Sequence, residues 1–450
     1  MAFTVVDLFA GVGGFHLATR GLGGETIFAS EIDSHAQDIY SLNFGSHLKG
    51  ELVGDIIPLT EPKLDSMIPA HDVLVGGFPC QPFSKSGFQR GLNETRGTLF
   101  YNIARILEKR RPRVVMLENV RNLVGPNHQH TWQLIRRTLR DLGYRTPDEP
   151  TVFSPHLLPQ SLLGTPQVRE RVFIVGVYVG RDAAWANTDD ARLAPNKPVL
   201  GWDPREWKLD VGILENENEI LNIEKYVLKQ MEIELLNMWQ DFVETTGNQS
   251  GNRLPGHPIW LDSFKAKPEF DEDCPDWKID FVTKNSAFYR THGANIRQWR
   301  KRHRALLRTL PESRRKLEWQ AQDLPSLWEG LIQFRPSGVR VKKANYVPAL
   351  VAMNQTSVVG AQKRRLTVRE GARLQGFPED FTFAHQNDSK SFKQLGNAVS
   401  VGAVTQVLSQ AAYLWDFFPS DIAESIRQSR VSRGLPDEPM NFNGVKEGLW

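Results

Sequence analysis

The residue best placed to act as a nucleophile is Cys80, which lies in the stretch Gly-Gly-Phe-Pro-Cys-Gln-Pro-Phe-Ser at residues 76–84. A short apolar run at residues 72–75 precedes it and predicts a buried parallel strand. Two glycines and a proline then end the strand, so the thiol is expected on a loop at the carboxyl end, where open α/β sheets place their chemistry. A lone cysteine can also be a small buried hydrophobe, but Pro-Cys-Gln-Pro is a poor core segment. We therefore predict a cysteine nucleophile.

Charged side chains accompany other predicted strands. Glu118 directly follows the apolar run at residues 113–117, so its carboxylate is expected at the same edge of the sheet as Cys80. Arg169 and Arg171 lead into a strand predicted over residues 172–177, and their spacing points both side chains the same way. The alternative for these arginines is a surface ion pair with Glu170.

A glycine-rich turn at residues 10–15 joins a strand predicted over residues 3–9 to a helix beginning at His16. Glycines let the backbone approach a ligand closely, and a helix N-terminus offers free N–H groups. Glu31 ends the second predicted strand about twenty residues past the glycines, a position that suits a ribose diol. Asp55 leaves a third predicted strand in the same way. Unrelated surface carboxylates are the alternative, but the combination predicts an adenosine-type cofactor.

The elements that must position these residues alternate strand and helix up to residue 179, with helices predicted over residues 97–109 and 132–142. This order predicts an α/β fold with a doubly wound, mostly parallel, Rossmann-like sheet and a second, smaller domain. After residue 179 the alternation stops, and it returns with a helix capped by Thr367 and Glu370. The predicted domains are a catalytic and cofactor-binding domain at 1–180, a variable domain at 181–390 with the segment 365–378 at its end, and a C-terminal part at 391–450, in which a helix from 394 to 417 returns to the first domain before a polar tail.

The composition is that of a soluble globular protein, with 40% hydrophobic and 24% charged residues in 450 and a formal net charge of +3. The charge is unevenly distributed: residues 290–316 carry ten Lys or Arg and one acid, Glu312. Such a stretch could face a polyanion, and the alternative is a solvated helix surface. Two cysteines are too few for a disulfide framework, so a reducing cytosol is expected. No apolar run approaches the ~20 residues of a membrane span.

Taken together, these segments resemble the DNA (cytosine-5) methyltransferases, in particular the bacterial restriction-modification type. The resemblance covers residues 1–177 and 364–417, with the motifs in the family's order, and residues 181–363 lie where the family keeps its variable target-recognition domain. Ser400 departs from the proline that is often found at its position. The matching segments are 7–15 for the cofactor turn, Glu31 and Asp55 for its ribose and adenine ligands, Pro79-Cys80-Gln81 for the nucleophile, Glu118-Asn119-Val120 for the acid, 167–171 for the arginine motif, and 365–378 and 394–401 for the last two motifs.

The resemblance implies S-adenosylmethionine as cofactor, double-stranded DNA as substrate and no metal. Cys80 is expected to add to C6 of a flipped-out cytosine, Glu118 to share a proton with N3, and Arg169 and Arg171 to hold the O2 edge or a phosphate. Arg169 is also expected to help keep Cys80 as thiolate. The predicted cofactor contacts are Phe9, Ala10, Gly11, Gly13, Gly14, Phe15, Glu31, Ile32, Asp55, Ile56, Pro79, Leu99, Asn397 and Ala398. The predicted DNA contacts are Gln81, Ser84, Ser86 and Arg96, in a loop expected to act as a lid, and Arg297, Arg300 and Arg304.

The further expectations are a monomer in the bacterial cytoplasm, with a restriction endonuclease as a candidate functional partner. Three alternatives remain open. An RNA cytosine methyltransferase on the same core predicts activity on folded RNA and a shorter insertion than 181–363. A silent DNA-binding regulator does not need Cys80, Glu118 and Arg169 intact, and a dinucleotide oxidoreductase does not need Cys80 beside Glu118.

Overall fold

The computed structural model describes residues 2–60, 67–79, 99–186, 192–247, 254–270, 272–321, 323–351, 356–384 and 386–442. Cys80 and the predicted lid at residues 81–96 therefore lie outside the described residues. The chain divides into two compact units, one formed by Met1–Trp207 with Gly371–Trp450 and the other by Lys208–Glu370.

An eight-stranded, mostly parallel sheet forms the centre of the first unit, in the order β3-β2-β1-β4-β5-β9-β6, with β7 also paired to β9. The pairs from β3 across to β5 are parallel, and β9 is antiparallel to β5, β6 and β7. The strands of this unit are β1 (Phe3–Leu8), β2 (Gly24–Ser30), β3 (Glu51–Val53), β4 (Val73–Gly77), β5 (Val114–Val120), β6 (Tyr144–Arg145), β7 (Thr151–Phe153), β8 (Gln167–Val168) and β9 (Arg171–Tyr178).

The central strands are apolar on both faces because helices cover the two sides of a parallel sheet. Val5, Val6, Leu74 and Val115 are fully buried. The chain runs outward from β1 through β2 to β3 and then returns to the other side of β1 as β4. Strand order therefore reverses between β1 and β4, and a crevice opens at the carboxyl ends of strands at such a point. The predicted doubly wound α/β sheet and its strands are confirmed.

The three helices predicted within the N-terminal part of the first unit, beginning at His16 and over residues 97–109 and 132–142, are present as α1, α3 and α4. The predicted C-terminal helix from residue 394 is interrupted: α10 ends at Asn397, Ala398 is extended, and α11 begins at Val401 with Ser400 as its N-cap. The helices are α1 (Gly14–Arg20), α2 (Ser34–Phe44), α3 (Leu99–Arg110), α4 (Gln129–Asp141), α5 (Arg181–Ala184), α10 (Asp388–Asn397), α11 (Val401–Leu414) and α12 (Ser420–Ser432), and α9 (Val368–Gln375) contains the boundary at residue 370.

The second unit has its own core of helices against a six-stranded sheet in the order β10-β11-β13-β12-β15-β16. Trp239 and Trp299 are fully buried there, and each indole N–H donates to a main-chain carbonyl, of Arg314 and Met238 respectively. The helices and strands are α6 (Gln230–Thr246), α7 (Asp276–Arg302), α8 (Arg304–Thr309), β10 (Ile259–Trp260), β11 (Lys316–Gln320), β12 (Gly330–Arg335), β13 (Gly338–Lys343), β14 (Val347–Pro348), β15 (Val358–Val359) and β16 (Arg364–Arg365).

The boundaries of the compact units differ from the predicted domains at both ends. The first unit continues to Trp207 rather than to residue 180, because segments beyond β9 pack back onto it: Trp202 and Trp207 both donate their indole N–H to the carbonyl of His156. It resumes at Gly371 rather than at residue 391.

The capping box at Thr367 is confirmed: its N–H donates to Glu370 Oε2 at 2.8 Å, and its Oγ1 accepts the Glu370 N–H at 3.1 Å. Within the described residues, no helix has the length and apolar character to cross a membrane.

Candidate active site

A cavity of about 360 Å³ opens in the first unit at the carboxyl ends of β1, β2, β4 and β5. This is the place where the strand order reverses, and the volume lies within the range of small-molecule sites. The described residues that line it are Phe9, Gly11, Val12, Glu31, Ile32, Asp33, Ala36, Gly77, Phe78, Pro79, Glu118, Asn119, Val120, Arg169, Arg171, Lys393, Gln394, Gly396 and Asn397.

The turn after β1 is shaped by left-handed backbone conformations. Gly11 has φ +55° and Gly13 has φ +89°, a region that favours glycine. A Cβ on Gly11 would meet nothing within 4 Å, whereas one on Gly13 would collide with Phe44. Phe9 adopts φ 55° although it has a side chain, a conformation that costs of order 1 kcal/mol or more in non-glycine residues. Gly11 thus leaves open space at the cavity, and Gly13 serves packing.

Glu31 ties the cofactor turn to the end of β2. One carboxylate oxygen accepts the N–H of Gly11 at 2.8 Å, and the other accepts the N–H of Asp33 at 2.8 Å. These bonds hold the carboxylate at the cavity wall, and each oxygen keeps a further lone pair. The arrangement can receive two hydroxyl donors, as the prediction of a ribose site requires.

The residues beside Glu31 and Gly11 suit an adenosine-type ligand. Ile32 lines the cavity with 71% of its surface exposed, an unusual exposure for an isoleucine that offers an apolar surface to a flat base. Phe9 lines the same cavity with an aromatic ring. The apolar surfaces, the acceptor Glu31 and the space at Gly11 together fit S-adenosylmethionine.

Pro79 and Asn397 also line the cavity, whereas the remaining predicted cofactor contacts lie outside its lining. Asp55 uses a carboxylate oxygen to accept the N–H of Ile57 at 2.9 Å, and Ile56 belongs to the hydrophobic core with Leu99 packed against the same core. Ala10 and Phe15 are buried, and a Cβ on Gly14 would collide with Val399. For Gly13, Gly14 and Phe15 the structure therefore shows a packing role that supports the turn.

Glu118 forms a buried ion pair across the strand pair β5–β9. The Arg171 Nε lies 2.9 Å from Glu118 Oε1, and Glu118 is only 8% exposed. Glu118 Oε2 is directed toward Gly77, where it would lie 3.6 Å from an added Cβ. Burial raises the pKa of Glu118, and the positive charges of Arg171 and Arg169 oppose that rise without cancelling it. The carboxyl group is thereby placed to exchange a proton inside the cavity.

Asn119 fixes the backbone just before the predicted nucleophile, a role that the sequence did not reveal. Its side-chain amide donates to the carbonyl of Phe78 at 2.8 Å, and its Oδ1 accepts the N–H of Val120 at 2.8 Å. Pro79, the next residue after Phe78, lines the cavity. The end of β4 that leads to Cys80 is therefore held against β5 at the site.

Arg169 is 2% exposed, and its guanidinium is bound to two backbone carbonyls. Its Nη2 donates to the carbonyls of Gly396 at 2.9 Å and Ala398 at 2.6 Å. Burial and the charge of Arg171 lower the pKa of Arg169 to about 9. This value is still high enough for the guanidinium to stay charged at neutral pH. The predicted Arg169 thus lines the cavity and also ties the break between α10 and α11 to the strand entry at β9. Ala398 contributes its carbonyl to this tie, while Asn397 lines the cavity.

In the second unit, more than half of the cations in the basic stretch are engaged by groups of the unit itself, including one predicted DNA contact. Arg300 is half-buried, donates to the carbonyl of Leu261 at 2.5 Å and lies over the ring of Phe264. Arg297 and Arg304 are exposed, and within the described residues no hydrogen bond or ion pair engages them. The predicted contacts Gln81, Ser84, Ser86 and Arg96 lie outside the described residues.

No group of three or more His, Cys, Asp or Glu residues in the described parts of the chain could hold a metal ion. The crevice lies where the strand order of a doubly wound sheet reverses, and it combines a glycine-rich turn with a carboxylate placed to bind ribose hydroxyls. These features define the class of enzymes that bind an adenosine-type cofactor. The buried Glu118–Arg171 pair shares that crevice with the residue preceding Cys80.

The chain belongs to the family of C-5 cytosine-specific DNA methylases, whose model matches residues 3–412. It is therefore a DNA (cytosine-5) methyltransferase, with S-adenosylmethionine as cofactor and DNA as substrate. The Type II methyltransferase M.AluI of Cellulosimicrobium cellulans is 41% identical over 91% of this chain and 91% of its own length. M.BanI of Aneurinibacillus aneurinilyticus is 29% identical over 96% and 99%, and M.SsoII of Shigella sonnei is 40% identical over 90% and 79%.

Proposed function

We propose that this protein methylates C5 of one specific cytosine in double-stranded DNA through a covalent intermediate on Cys80. The observation that carries the proposal is the position of Glu118. Its carboxyl group, paired with Arg171, lines the same cavity as Phe9, Glu31 and Pro79. This chemistry requires three features close together: a group that exchanges a proton (Glu118), a site for the cofactor's nucleoside (Phe9 and Glu31) and a nearby thiol, for which Pro79 is the preceding residue.

In the proposed reaction, the Cys80 thiolate forms a bond to C6 of cytosine, and the electrons of the C5–C6 double bond move toward N3 and O2. Glu118 donates a proton to N3, and Arg171 fixes the carboxyl group and faces the developing charge. Bound S-adenosylmethionine supplies a sulfonium methyl group, an electrophile that the enamine-like C5 can attack. After methylation of C5, water takes the C5 proton, and the electrons of the C5–H bond re-form the C5–C6 double bond as the Cys80 thiolate leaves C6. N3 returns its proton to Glu118, which restores the enzyme. The positive charges of Arg169 and Arg171 favour the thiolate form of the nucleophile.

A cytosine inside a duplex cannot reach a cavity of this kind, so we propose that the target base is flipped out. Flipping costs roughly a few kcal/mol of lost stacking and pairing. We assign target recognition to the unit Lys208–Glu370, since it has its own core and carries the exposed arginines. The names of the relatives place them among Type II methyltransferases, and we propose that this chain likewise protects its host's DNA alongside a restriction endonuclease. We further propose that it acts as a monomer in the bacterial cytoplasm.

Bisulfite sequencing of DNA from a bacterial strain that expresses this chain tests the proposed function. We expect near-complete protection of cytosine in one short sequence and none in a strain that expresses Cys80→Ser. RNA from the same cells serves as the control for the alternative substrate. Protection confined to RNA would favour the RNA methyltransferase, and unprotected cytosines in both nucleic acids would contradict methyl transfer altogether.

The exposed basic face of α7 and α8 is the proposed contact with DNA phosphates. Six of the ten cations in residues 290–316 are engaged within the unit, since Arg290, Arg300 and Arg314 donate to carbonyls and Arg302, Arg315 and Lys316 pair with acids. The four that remain are exposed and form two pairs, each with a spacing of four residues that puts both members on one side of a helix, one pair on α7 and the other on α8. They are Arg297, Lys301, Arg304 and Arg308.

We expect Arg297→Ala and Arg304→Ala each to weaken binding to every DNA sequence and to lower the slope of log affinity against log salt by about 1, because each removes one phosphate contact. Fluorescence anisotropy across a salt series measures this slope. Lys284→Ala is the matched control, since Lys284 lies on α7 but is already paired with Asp280 at 2.6 Å. An unchanged slope in both arginine variants would place the DNA backbone elsewhere.

A further inference from the structure

Gln394 combines a place in the lining of the cofactor cavity with a buried side-chain donor that has no hydrogen-bond partner among the described residues. It lies in α10, is 7% exposed and lines the cavity. Its Oε1 accepts a hydrogen bond from Gln386 Nε2 at 2.6 Å, whereas its own Nε2 is buried with no partner among the described residues. A buried donor without a partner costs free energy, and at a residue that lines a cavity a bound ligand can satisfy it.

The orientation of the Gln394 amide follows from its neighbours. Gln386 Nε2 also donates to Ser391 Oγ at 3.0 Å, and the Ser391 hydroxyl donates to the carbonyl of Asn387. Ser391 Oγ lies 3.4 Å from that carbonyl. With its proton on the carbonyl, Ser391 acts as an acceptor toward Gln386, and in this assignment Gln386 faces Gln394 with its NH₂ group. Gln394 must then accept through Oε1, which leaves its NH₂ group as the part without a partner.

We propose that Gln394 is a cofactor-binding residue whose side-chain NH₂ donates to an acceptor oxygen of bound S-adenosylmethionine. The inference rests on the proposed function in assigning this cavity to the cofactor. Glu31 offers acceptors to the ligand, so Gln394 supplies the complementary donor. Lys393 lies 3.8 Å from Asp33, and the carbonyl of Gly396 binds Arg169, so α10 runs along the wall from the nucleoside residues toward the catalytic ones. The cofactor carries acceptor oxygens at the ribose and at the carboxylate.

Calorimetric titration of the full-length protein with S-adenosylhomocysteine tests the proposal without any turnover. We expect Gln394→Leu and Gln394→Glu each to weaken binding about tenfold or more, since a hydrogen bond to the ligand is lost. Glutamate keeps the acceptor for Gln386 and replaces only the NH₂ group by oxygen. Titration with 5′-methylthioadenosine, which lacks the amino-acid part, then locates the acceptor. If the Gln394 variants also bind 5′-methylthioadenosine more weakly than the parent does, the acceptor oxygen is on the ribose. If they bind it with parental affinity, the acceptor oxygen is on the carboxylate.

Two reference variants separate ligand binding from effects on folding. Gln375→Leu removes another buried glutamine, which donates to the carbonyl of Leu395 in α10 and does not line the cavity, and it should bind S-adenosylhomocysteine like the parent. Glu31→Ala should weaken the binding of both ligands. If the parent binds and folded Gln394 variants bind both ligands with parental affinity, the inference is overturned while the proposed function stands. If the parent binds neither ligand, the assignment of the cavity fails and the inference with it.

Discussion

A duplex with 5-fluorocytosine at the methylated position will capture the protein as a covalent adduct that survives denaturing electrophoresis. The proposed reaction releases the enzyme only when a base removes the proton at C5 and the Cys80–C6 bond breaks. Fluorine cannot leave as a cation, so the reaction stops after methyl transfer with the sulfur still bound. The adduct should therefore require S-adenosylmethionine and should migrate at the summed mass of the protein and the DNA strand that carries 5-fluorocytosine.

The two cysteines of the chain provide a matched pair of variants for this experiment. Cys80→Ser should form no adduct and should lose methyl transfer by roughly four orders of magnitude, the scale on which loss of a covalent nucleophile acts. Cys274 is a free cysteine in the second unit, and Cys274→Ser should form the adduct at the parental rate. A trapped peptide that contained Cys274 instead of Cys80 would overturn the assignment of the nucleophile. A silent regulator would give no adduct, and an RNA enzyme would give one only with fluorinated RNA.

The second large effect is expected for Glu118→Gln, which keeps the shape of the side chain but cannot protonate N3. Loss of a general acid lowers rates by about 10²- to 10⁴-fold, and we expect single-turnover methyl transfer to fall within that range. Binding of S-adenosylhomocysteine should stay near parental, because the contacts proposed for the cofactor are at Glu31 and Gln394. Rapid-quench measurement with labelled cofactor gives the rate, and calorimetry gives the affinity.

The pH profile adds a readout that a merely structural role for Glu118 would not affect. Burial raises the pKa of this carboxyl group, so the protonated form persists to higher pH than for an exposed glutamate. The group acts as an acid, hence the rate should decline as the pH rises through this pKa. In Glu118→Gln that decline should disappear. A variant with the parental rate and the parental decline would show that N3 is protonated by another group.

The sequence by itself determined the class of protein and the positions of its main chemical groups. Short, mostly apolar runs of four to seven residues predict the central strands because parallel strands are buried on both faces. The acids Glu31 and Glu118 follow such runs, and strand ends of a parallel sheet meet at one edge, so their proximity could be predicted without coordinates. The capping box of Thr367 and Glu370 is equally local, since its partners are three residues apart. The order of the motifs along the chain indicated the family.

The tertiary structure alone decided which partner each side chain finds. Arg169 was predicted at the substrate from its motif, but nothing in the sequence indicated that its guanidinium also binds the carbonyls of Gly396 and Ala398, more than two hundred residues away. Arg300 and Lys301 are adjacent in a basic run, and only packing against Phe264 separates the engaged cation from the exposed one. The role proposed for Gln394 depends on its hydrogen bond from Gln386 and on its place in the cavity lining, and both follow from the tertiary structure. Strand and helix patterns follow from local periodicity, whereas hydrogen-bond partners depend on which distant segments the fold brings together.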